Sequence, residues 1–157
     1  MHMKIQWKAL VVSLAVSLGT GLLSVLLTPN IQEDYAQLYR PPLAPPGWVF
    51  PVVWTILFVL MGIAAYLVYT SGNGQSTSAL KLYLVQLLFN LGWSVLFFRW
   101  DAYLPAFLWL LILWYLVYRL IRQFGEINSL AGKLMIPYLI WLTFAGYLNL
   151  AIALQAL

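Results

Sequence analysis

The sequence predicts an all-α membrane protein, a bundle of five transmembrane helices with a proline-rich first loop as a lid. Only 8% of the 157 residues are charged and 64% are hydrophobic, whereas a soluble domain carries about a quarter charged residues. The bilayer is therefore the expected solvent. Five apolar runs approach the roughly 20 residues that a helix needs to cross the hydrocarbon core. Within a single domain, 1–157, they occupy about 9–27, 48–70, 82–98, 102–121 and 134–154.

The lid is predicted from the segment 39–54, which joins the first two runs. Its prolines at 41, 42, 45 and 46 have no backbone N–H and fix φ near −65°. Such a segment favours a stiff polyproline conformation over a flexible linker. The segment is also rich in aromatic residues, which anchor chains at a membrane surface. A rigid aromatic loop above a helical bundle is suited to cover a cavity.

Proline, glycine and polar residues mark the ends of the apolar runs. Pro29 ends the first run and the segment 71–74 ends the second, while polar residues at 99–101 separate the third from the fourth. Pro105 and Pro137 are predicted near the starts of their helices, where a missing N–H costs little.

The basic residues predict the orientation of the chain. With five spans, six of the eight lie on the side of the N-terminus, and Arg40 and Arg99 lie on the other side with the C-terminus. The positive-inside rule then places the N-terminus in the cytoplasm and the first loop on the opposite side. Because topology explains these charges, we expect no nucleic-acid partner.

Three runs carry polar, aromatic or small residues at intervals of four, which places them on one face of a helix. If the three faces converge, they line a cavity with flat apolar walls and a few hydrogen-bonding groups, typical of a small-molecule site. These residues are Trp54, Phe58 and Gly62 in the second run, Gln86, Asn90 and Ser94 beside Trp93 in the third, and Trp141, Ala145 and Asn149 in the fifth.

A structural role competes with this interpretation. Buried amides often join transmembrane helices to each other, so ligand contact and helix joining stay equally open for Gln86 and Asn90. In the first run, small residues recur on one side at Ser13, Ser17, Gly21 and Ser24. This pattern favours close helix packing over chemistry.

Several kinds of site are not expected. His2 is the single histidine and cysteine is absent, so the bundle has no predicted metal site and no axial ligand for haem. All four carboxylates fall at the ends of runs, which leaves no intramembrane proton relay. A Ser-His-Asp triad cannot be assembled, and whether the protein is an enzyme is left open.

Three sequence blocks in order resemble a known family, the TspO/MBR family of tryptophan-rich sensory proteins, also called translocator proteins or peripheral-type benzodiazepine receptors. The first block is Tyr39-Arg40-Pro41 followed by Pro45-Pro46-Gly47-Trp48-Val49-Phe50-Pro51 and Val53-Trp54. The second is Gln86-Leu87 with Asn90, Trp93 and Phe97-Phe98, and the third is Pro137-Tyr138-Leu139-Ile140-Trp141 with Phe144-Ala145 and Leu148-Asn149. The resemblance covers nearly the whole chain and is to a bacterial member.

The resemblance implies a homodimer whose first loop covers a pocket between the second, third and fifth spans. It implies protoporphyrin IX or a related tetrapyrrole as ligand, bound without a further cofactor, and synthetic ligands of the benzodiazepine and isoquinoline types. Together with the residue patterns, it makes the candidate ligand-binding residues Tyr35, Pro45, Pro46, Trp54, Phe58, Gln86, Asn90, Trp93, Trp141, Ala145 and Leu148.

Two positions depart from the family pattern. Leu43 replaces a residue that is usually aromatic or histidine, so contacts of the lid are expected to differ. The cholesterol motif of animal members needs a tyrosine and then an arginine near the end of the fifth helix. Here Asn149 is followed by Leu-Ala-Ile-Ala-Leu, so cholesterol recognition through that motif is not expected.

Three functions stay open from the sequence. The first is a receptor or sensor in which the macrocycle stacks on indole rings while Asn90 and Gln86 bond its propionates or ring nitrogens. The second, which the resemblance implies for some bacterial members, is light- and oxygen-dependent porphyrin degradation with Trp54 and Trp141 as participants. The third is translocation of tetrapyrroles or lipids, although no internal repeat of the kind found in many transporters is visible.

Overall fold

The computed structural model describes residues 4–157, and these contain α-helices and no β-strand. Five of the helices are long and apolar enough to cross a membrane, which confirms the predicted fold class. The helices are α1 (Trp7–Leu27), α2 (Ile31–Gln37), α3 (Val49–Tyr69), α4 (Ser76–Ser94), α5 (Tyr103–Ile127) and α6 (Ser129–Gln155). The short helix α2 lies within the first loop and was not predicted.

Helix boundaries extend beyond the apolar runs. Helix α4 begins at Ser76 rather than at 82, and α6 begins at Ser129 rather than at 134. Polar residues can continue a helix past the part of it that is hydrophobic enough to be recognised as a span. The prediction for Pro105, the third residue of α5, is confirmed.

The prediction for Pro137 is wrong, because this residue lies well inside α6. The helix starts upstream, where the Asn128 side chain accepts a hydrogen bond from the backbone N–H of Ala131 at 3.0 Å. Asparagine is a favoured N-terminal cap. This cap, not the proline, marks the start of the helix.

Helices α1 and α3 pack closely through Ser13 and Ser17, as predicted for the small residues of the first run. The Ser13 hydroxyl donates a hydrogen bond to the carbonyl oxygen of Gly62 at 2.6 Å, and Ser17 is fully buried. A Cβ added to Gly62 would lie only 2.8 Å from the side chains of Leu14 and Ser17. Such close approach of two backbones is the usual role of small residues between transmembrane helices.

The end of α4 widens into one π-helical turn, Val95–Arg99. The backbone N–H of Trp100 donates to the Val95 carbonyl oxygen, five residues earlier, at 3.0 Å. Turns of this kind are frequent at functional sites. Here the turn carries Phe98, which faces the cavity described below, and Arg99, whose guanidinium lies 3.4 Å from the Leu27 carbonyl oxygen at the end of α1.

Candidate functional site

A cavity of about 290 Å³ lies inside the bundle, next to α2 and the start of α3. Residues of α1, α3, α4 and α6 form its walls, so the three predicted faces do converge, and α1 supplies a fourth. The lining side chains are mainly aromatic and aliphatic, with a few amides and hydroxyls. They include Leu22, Gln32, Tyr35, Phe50, Trp54, Phe58, Asn90, Trp93, Ser94, Phe98, Trp141 and Ala145.

Aromatic rings form a continuous series from the first loop to the interior. Tyr35 meets Phe50 edge-on with centroids 4.7 Å apart, and Phe50 meets Trp141 in the same way at 5.7 Å. Trp141 is perpendicular to Trp54 at 6.4 Å, and Trp54 lies 5.7 Å from Phe58. Edge-to-face pairs of this kind are favourable beyond the area they bury. The rings therefore hold each other in fixed orientations around the cavity.

Two polar chains stand behind the aromatic walls. In the first, Asn90 Nδ2 donates to the Tyr138 hydroxyl, which donates to Gln86 Oε1, each across 2.8 Å. In the second, Trp93 Nε1 donates to Asn149 Oδ1 at 3.0 Å, and Asn149 Nδ2 donates to the Tyr103 carbonyl oxygen at 2.9 Å. Both chains join α4 to α6. They satisfy buried polar groups that would otherwise be costly in this environment.

The indole nitrogen of Trp141 is an exception. Its N–H is buried and has no hydrogen-bond partner among residues 4–157. A buried donor without an acceptor costs free energy, and such a group in a cavity wall calls for an explanation. An acceptor on a bound molecule would satisfy it.

Three side chains hold the proline-rich loop by its carbonyl groups. The Tyr35 hydroxyl donates to the Pro45 oxygen at 2.6 Å, the Gln32 amide to the Gly47 oxygen at 3.1 Å, and the Tyr147 hydroxyl to the Pro42 oxygen at 2.6 Å. Proline has no N–H to donate but keeps its carbonyl acceptor. The segment predicted to be a lid is thus fastened to α2 on one side and to α6 on the other.

The Tyr35 phenol sits at the junction of loop and cavity. Burial raises its pKa above the usual value of 10.0, and the Arg40 guanidinium, 5.4 Å from the centre of the ring, acts in the opposite direction with a smaller effect. The hydroxyl therefore stays protonated at neutral pH and remains a donor to the loop.

The structure places seven of the eleven predicted ligand-binding residues in the cavity wall: Tyr35, Trp54, Phe58, Asn90, Trp93, Trp141 and Ala145. Four lie elsewhere. Pro45 and Pro46 belong to the loop, where Pro45 accepts the bond from Tyr35, and Leu148 is buried in α6 outside the lining. Gln86 is fully buried behind the wall and bonds to Tyr138, so the structure favours the helix-joining role for this amide.

Sequence reasoning missed several lining residues. Phe50 precedes Trp54 by four residues, and Phe98 follows Ser94 at the same interval, so the helical period could have added both to the site. On α1, Gly21 and Ser24 line the cavity although helix packing was predicted for them, and the larger lining residues of this helix had no such signal. Leu18, Leu22 and Val25 have side chains of the kind that also face lipid.

Five lining residues of α1 and α3 are exposed on the surface of the bundle, namely Leu18, Leu22 and Val25 of α1 and Pro51 and Thr55 of α3. We infer that the cavity opens between these two helices. Both helices are apolar spans, so this opening lies within the membrane-spanning part of the bundle.

No group of three or more histidine, cysteine or acidic side chains is close enough to hold a metal ion in the part of the chain that the structure describes. His2 lies outside the described residues. The site is therefore characterised by its aromatic rings and amides.

The fold and the cavity define an integral membrane protein of five spans built around an aromatic-walled cavity. The chain belongs to the TspO/MBR family, whose sequence model matches residues 10–155. It is 34% identical to the tryptophan-rich protein TspO of Chlorobaculum tepidum, with 91% of this chain and 92% of that protein covered. It is 36% identical to the tryptophan-rich sensory protein of Cereibacter sphaeroides, with 94% and 90% covered, and 34% identical to the human translocator protein, with 87% and 83% covered.

Proposed function

We propose that this protein is a membrane receptor or sensor that binds protoporphyrin IX or a related tetrapyrrole in the cavity. The observation that carries the proposal is a set of large rings that line one cavity, namely Phe50, Trp54, Phe58, Trp93 and Trp141. A flat, apolar and polarisable ligand matches such walls better than an aliphatic chain does. The membership in a family of tryptophan-rich sensory proteins supports the same class of function.

The size of the cavity adds a condition. A volume of about 290 Å³ is just below the range of small-molecule sites, which run from about 300 to 1,000 Å³. A whole macrocycle therefore needs more room than the closed cavity offers. Displacement of the loop, or extension of the ligand through the opening between α1 and α3, would supply it.

The charges around the cavity suit an acidic ligand. Arg40 lies over the ring of Tyr35, and Arg99 lies at the end of α1. Both are on the side of the proline-rich loop, where they can pair with the propionates of a porphyrin. The macrocycle would then enter with its apolar edge first and keep its carboxylates at the rim.

Tryptophan fluorescence tests the proposal. Protoporphyrin IX titrated into the purified protein should quench it saturably at micromolar concentration. The double variant Trp54→Ala, Trp93→Ala should weaken binding at least about tenfold through lost stacking, while Trp7→Phe, on the exposed start of α1, serves as the matched control. Absence of saturable quenching in the wild type would remove the proposal.

A second candidate is light- and oxygen-dependent degradation of the bound porphyrin. The indoles of Trp54 and Trp141 contact each other and both line the cavity. Either could donate an electron to a photoexcited macrocycle, with dioxygen as the final oxidant. The double variant Trp54→Phe, Trp141→Phe should keep the ligand bound but lose its bleaching in light. An unchanged porphyrin spectrum under illumination of the wild type would eliminate this candidate.

We also propose the orientation expected from the charges, with the N-terminus in the cytoplasm and the loop on the opposite side. We propose a homodimer as the assembly.

Translocation is the remaining candidate function, supported by the names of relatives such as the human translocator protein. The opening between α1 and α3 would give a hydrophobic ligand access from lipid. Synthetic ligands of the benzodiazepine and isoquinoline types would occupy the same cavity.

A further inference from the structure

We propose that Gln86 and Tyr138 are positioning residues that fix Asn90 with its amide oxygen toward the cavity. This end of the cavity would then bind a hydrogen-bond donor and exclude a carboxylate or a ketone. The inference rests on the proposed function, because it concerns which edge of a bound tetrapyrrole reaches Asn90.

Met61 determines the orientation of the Gln86 amide, and with it the direction of the hydrogen bonds from Asn90 to Gln86. Its sulfur lies 3.9 Å from Gln86 Nε2, and both side chains are fully buried. A thioether sulfur can accept a hydrogen bond but has no proton to donate. The Gln86 amide is therefore favoured with its N–H group toward the sulfur, since the opposite orientation would place an oxygen against a sulfur with no hydrogen between them. This leaves Gln86 Oε1 facing Tyr138.

The Tyr138 hydroxyl in turn determines which atom of the Asn90 amide faces it. The Tyr138 hydroxyl has a single proton and donates it to Gln86 Oε1 at 2.8 Å. Its oxygen can then only accept from its other neighbour. Asn90 meets this requirement by donating from Nδ2, also at 2.8 Å.

The remaining polar atom of Asn90 is its oxygen. Asn90 Oδ1 makes no hydrogen bond to a described residue, and Asn90 is part of the cavity wall. The nearby hydroxyl of Ser94 can rotate to donate or accept, so it does not set the direction. The amide of Asn90 is held by two residues behind it and presents an acceptor to the cavity.

An acceptor at this position has a consequence for the ligand. A carboxylate carries only acceptors at neutral pH, and bringing it to Asn90 Oδ1 would place two oxygen atoms together without a proton. The carboxylates therefore belong at the rim with Arg40 and Arg99. The edge that reaches Asn90 must be apolar or must carry an O–H or N–H group.

Two porphyrins that differ at the edge opposite the propionates test this inference. Haematoporphyrin carries hydroxyethyl groups there, which can donate, and diacetyldeuteroporphyrin carries acetyl groups, which can only accept. Wild type should bind haematoporphyrin about tenfold more tightly than diacetyldeuteroporphyrin. The hydroxyethyl group can donate a hydrogen bond to Asn90 Oδ1, whereas the acetyl oxygen would face it unpaired.

The variant Gln86→Leu should change this preference. Without Gln86, the Tyr138 proton turns to Asn90 Oδ1, and Asn90 then presents Nδ2 to the cavity. The affinity ratio should fall to one or below. Trp141 remains an available donor in both proteins, so its contribution cancels when the two ratios are compared. Tyr138→Phe, which frees the amide to turn, is a second variant and should also bring the ratio toward one.

Ser76→Ala is the matched control, because it removes a buried hydrogen bond from the same helix, to the Val68 carbonyl oxygen at 2.9 Å. Its ratio should equal that of wild type. If wild type binds both porphyrins equally, or if neither Gln86→Leu nor Tyr138→Phe alters the ratio, the positioning role is refuted while the proposed function stands. If wild type binds neither, the proposed function itself fails.

Discussion

The Tyr35 hydroxyl donates a hydrogen bond to the Pro45 carbonyl oxygen across 2.6 Å. The ring that carries this hydroxyl lines the cavity and packs edge-on against Phe50 at 4.7 Å. One side chain therefore touches both the loop and the aromatic wall. Through Phe50 and Trp141, the position of the loop is coupled by direct contact to the interior of the bundle.

Removing the Tyr35 hydroxyl should loosen the loop without altering the wall. In Tyr35→Phe the ring contact with Phe50 is kept and the bond to Pro45 is lost. We expect both association and dissociation of protoporphyrin IX to accelerate severalfold, with a smaller change in the dissociation constant. The reason is that the loop controls entry and exit of the ligand more than it affects the stacking of the ligand on the cavity wall. Stopped-flow fluorescence measures both rates, and Tyr39→Phe, on an exposed ring, is the control. Unchanged rates would mean that this bond does not restrain the loop.

The same hydroxyl predicts a pH dependence. Burial raises the pKa of Tyr35 above 10.0. The protonated hydroxyl therefore contributes fully to stability at any pH below the pKa of the unfolded state. This contribution is lost as the pH rises through the pKa of the folded state. The dissociation rate of the ligand should be flat between about pH 6 and 9, where a tyrosine is protonated, and should increase above pH 10. Tyr35→Phe should lack the increase that belongs to this residue. A rise centred near neutral pH would contradict the assignment.

Leu43 occupies a backbone conformation that suits glycine. Its φ is +72°, and the Ala44 N–H donates to the Pro41 carbonyl oxygen at 3.1 Å, which closes a turn with Pro42 at its second position. These features are those of a type II turn, whose third position favours glycine. Leu43 is 83% exposed, so its side chain contributes little packing.

Leu43→Gly should therefore be more stable than Leu43→Ala by about 1 kcal/mol, because alanine keeps the steric cost of a positive φ. Thermal unfolding in detergent measures the difference. Equal stability of the two variants would show that the loop does not need this conformation. The departure of Leu43 from the family pattern lies on the outer surface of the loop rather than in the cavity wall.

Gly62 should be intolerant of substitution. A Cβ there would meet the Leu14 backbone at 3.1 Å as well as two side chains at 2.8 Å, so α1 would have to move away from α3. Gly62→Ala should cost about 1–3 kcal/mol, the usual range for overpacking. Gly19→Ala is the control, since a Cβ added there would meet nothing within 4 Å apart from the backbone of its own helix, and alanine is the better helix former. Similar stability of the two variants would contradict close packing at Gly62.

Much of the site followed from the sequence because a helix repeats every 3.6 residues. Trp54 and Phe58, Asn90 beside Trp93, and Trp141 and Ala145 were placed on common faces by their spacing alone, and all six line the cavity. The prolines of the loop identified a stiff connection, and the structure shows its carbonyl groups held by Gln32, Tyr35 and Tyr147. Hydrophobicity and local stiffness are properties of short segments, and the sequence reports them directly.

The tertiary structure determined which residue of each predicted face lines the cavity and which packs behind its wall. Gln86 and Asn90 have equivalent positions on one face of α4, yet Gln86 is turned behind the wall by Tyr138 and Met61 while Asn90 reaches the cavity. The contribution of α1 and the location of Pro137 inside α6 likewise depend on how helices meet and where a cap forms. The sequence by itself determined a five-span membrane bundle with a rigid loop and three aromatic or amide faces. Only packing between helices distant in the chain determined that these faces enclose a cavity, because contacts between residues dozens of positions apart leave no periodic signal along the chain.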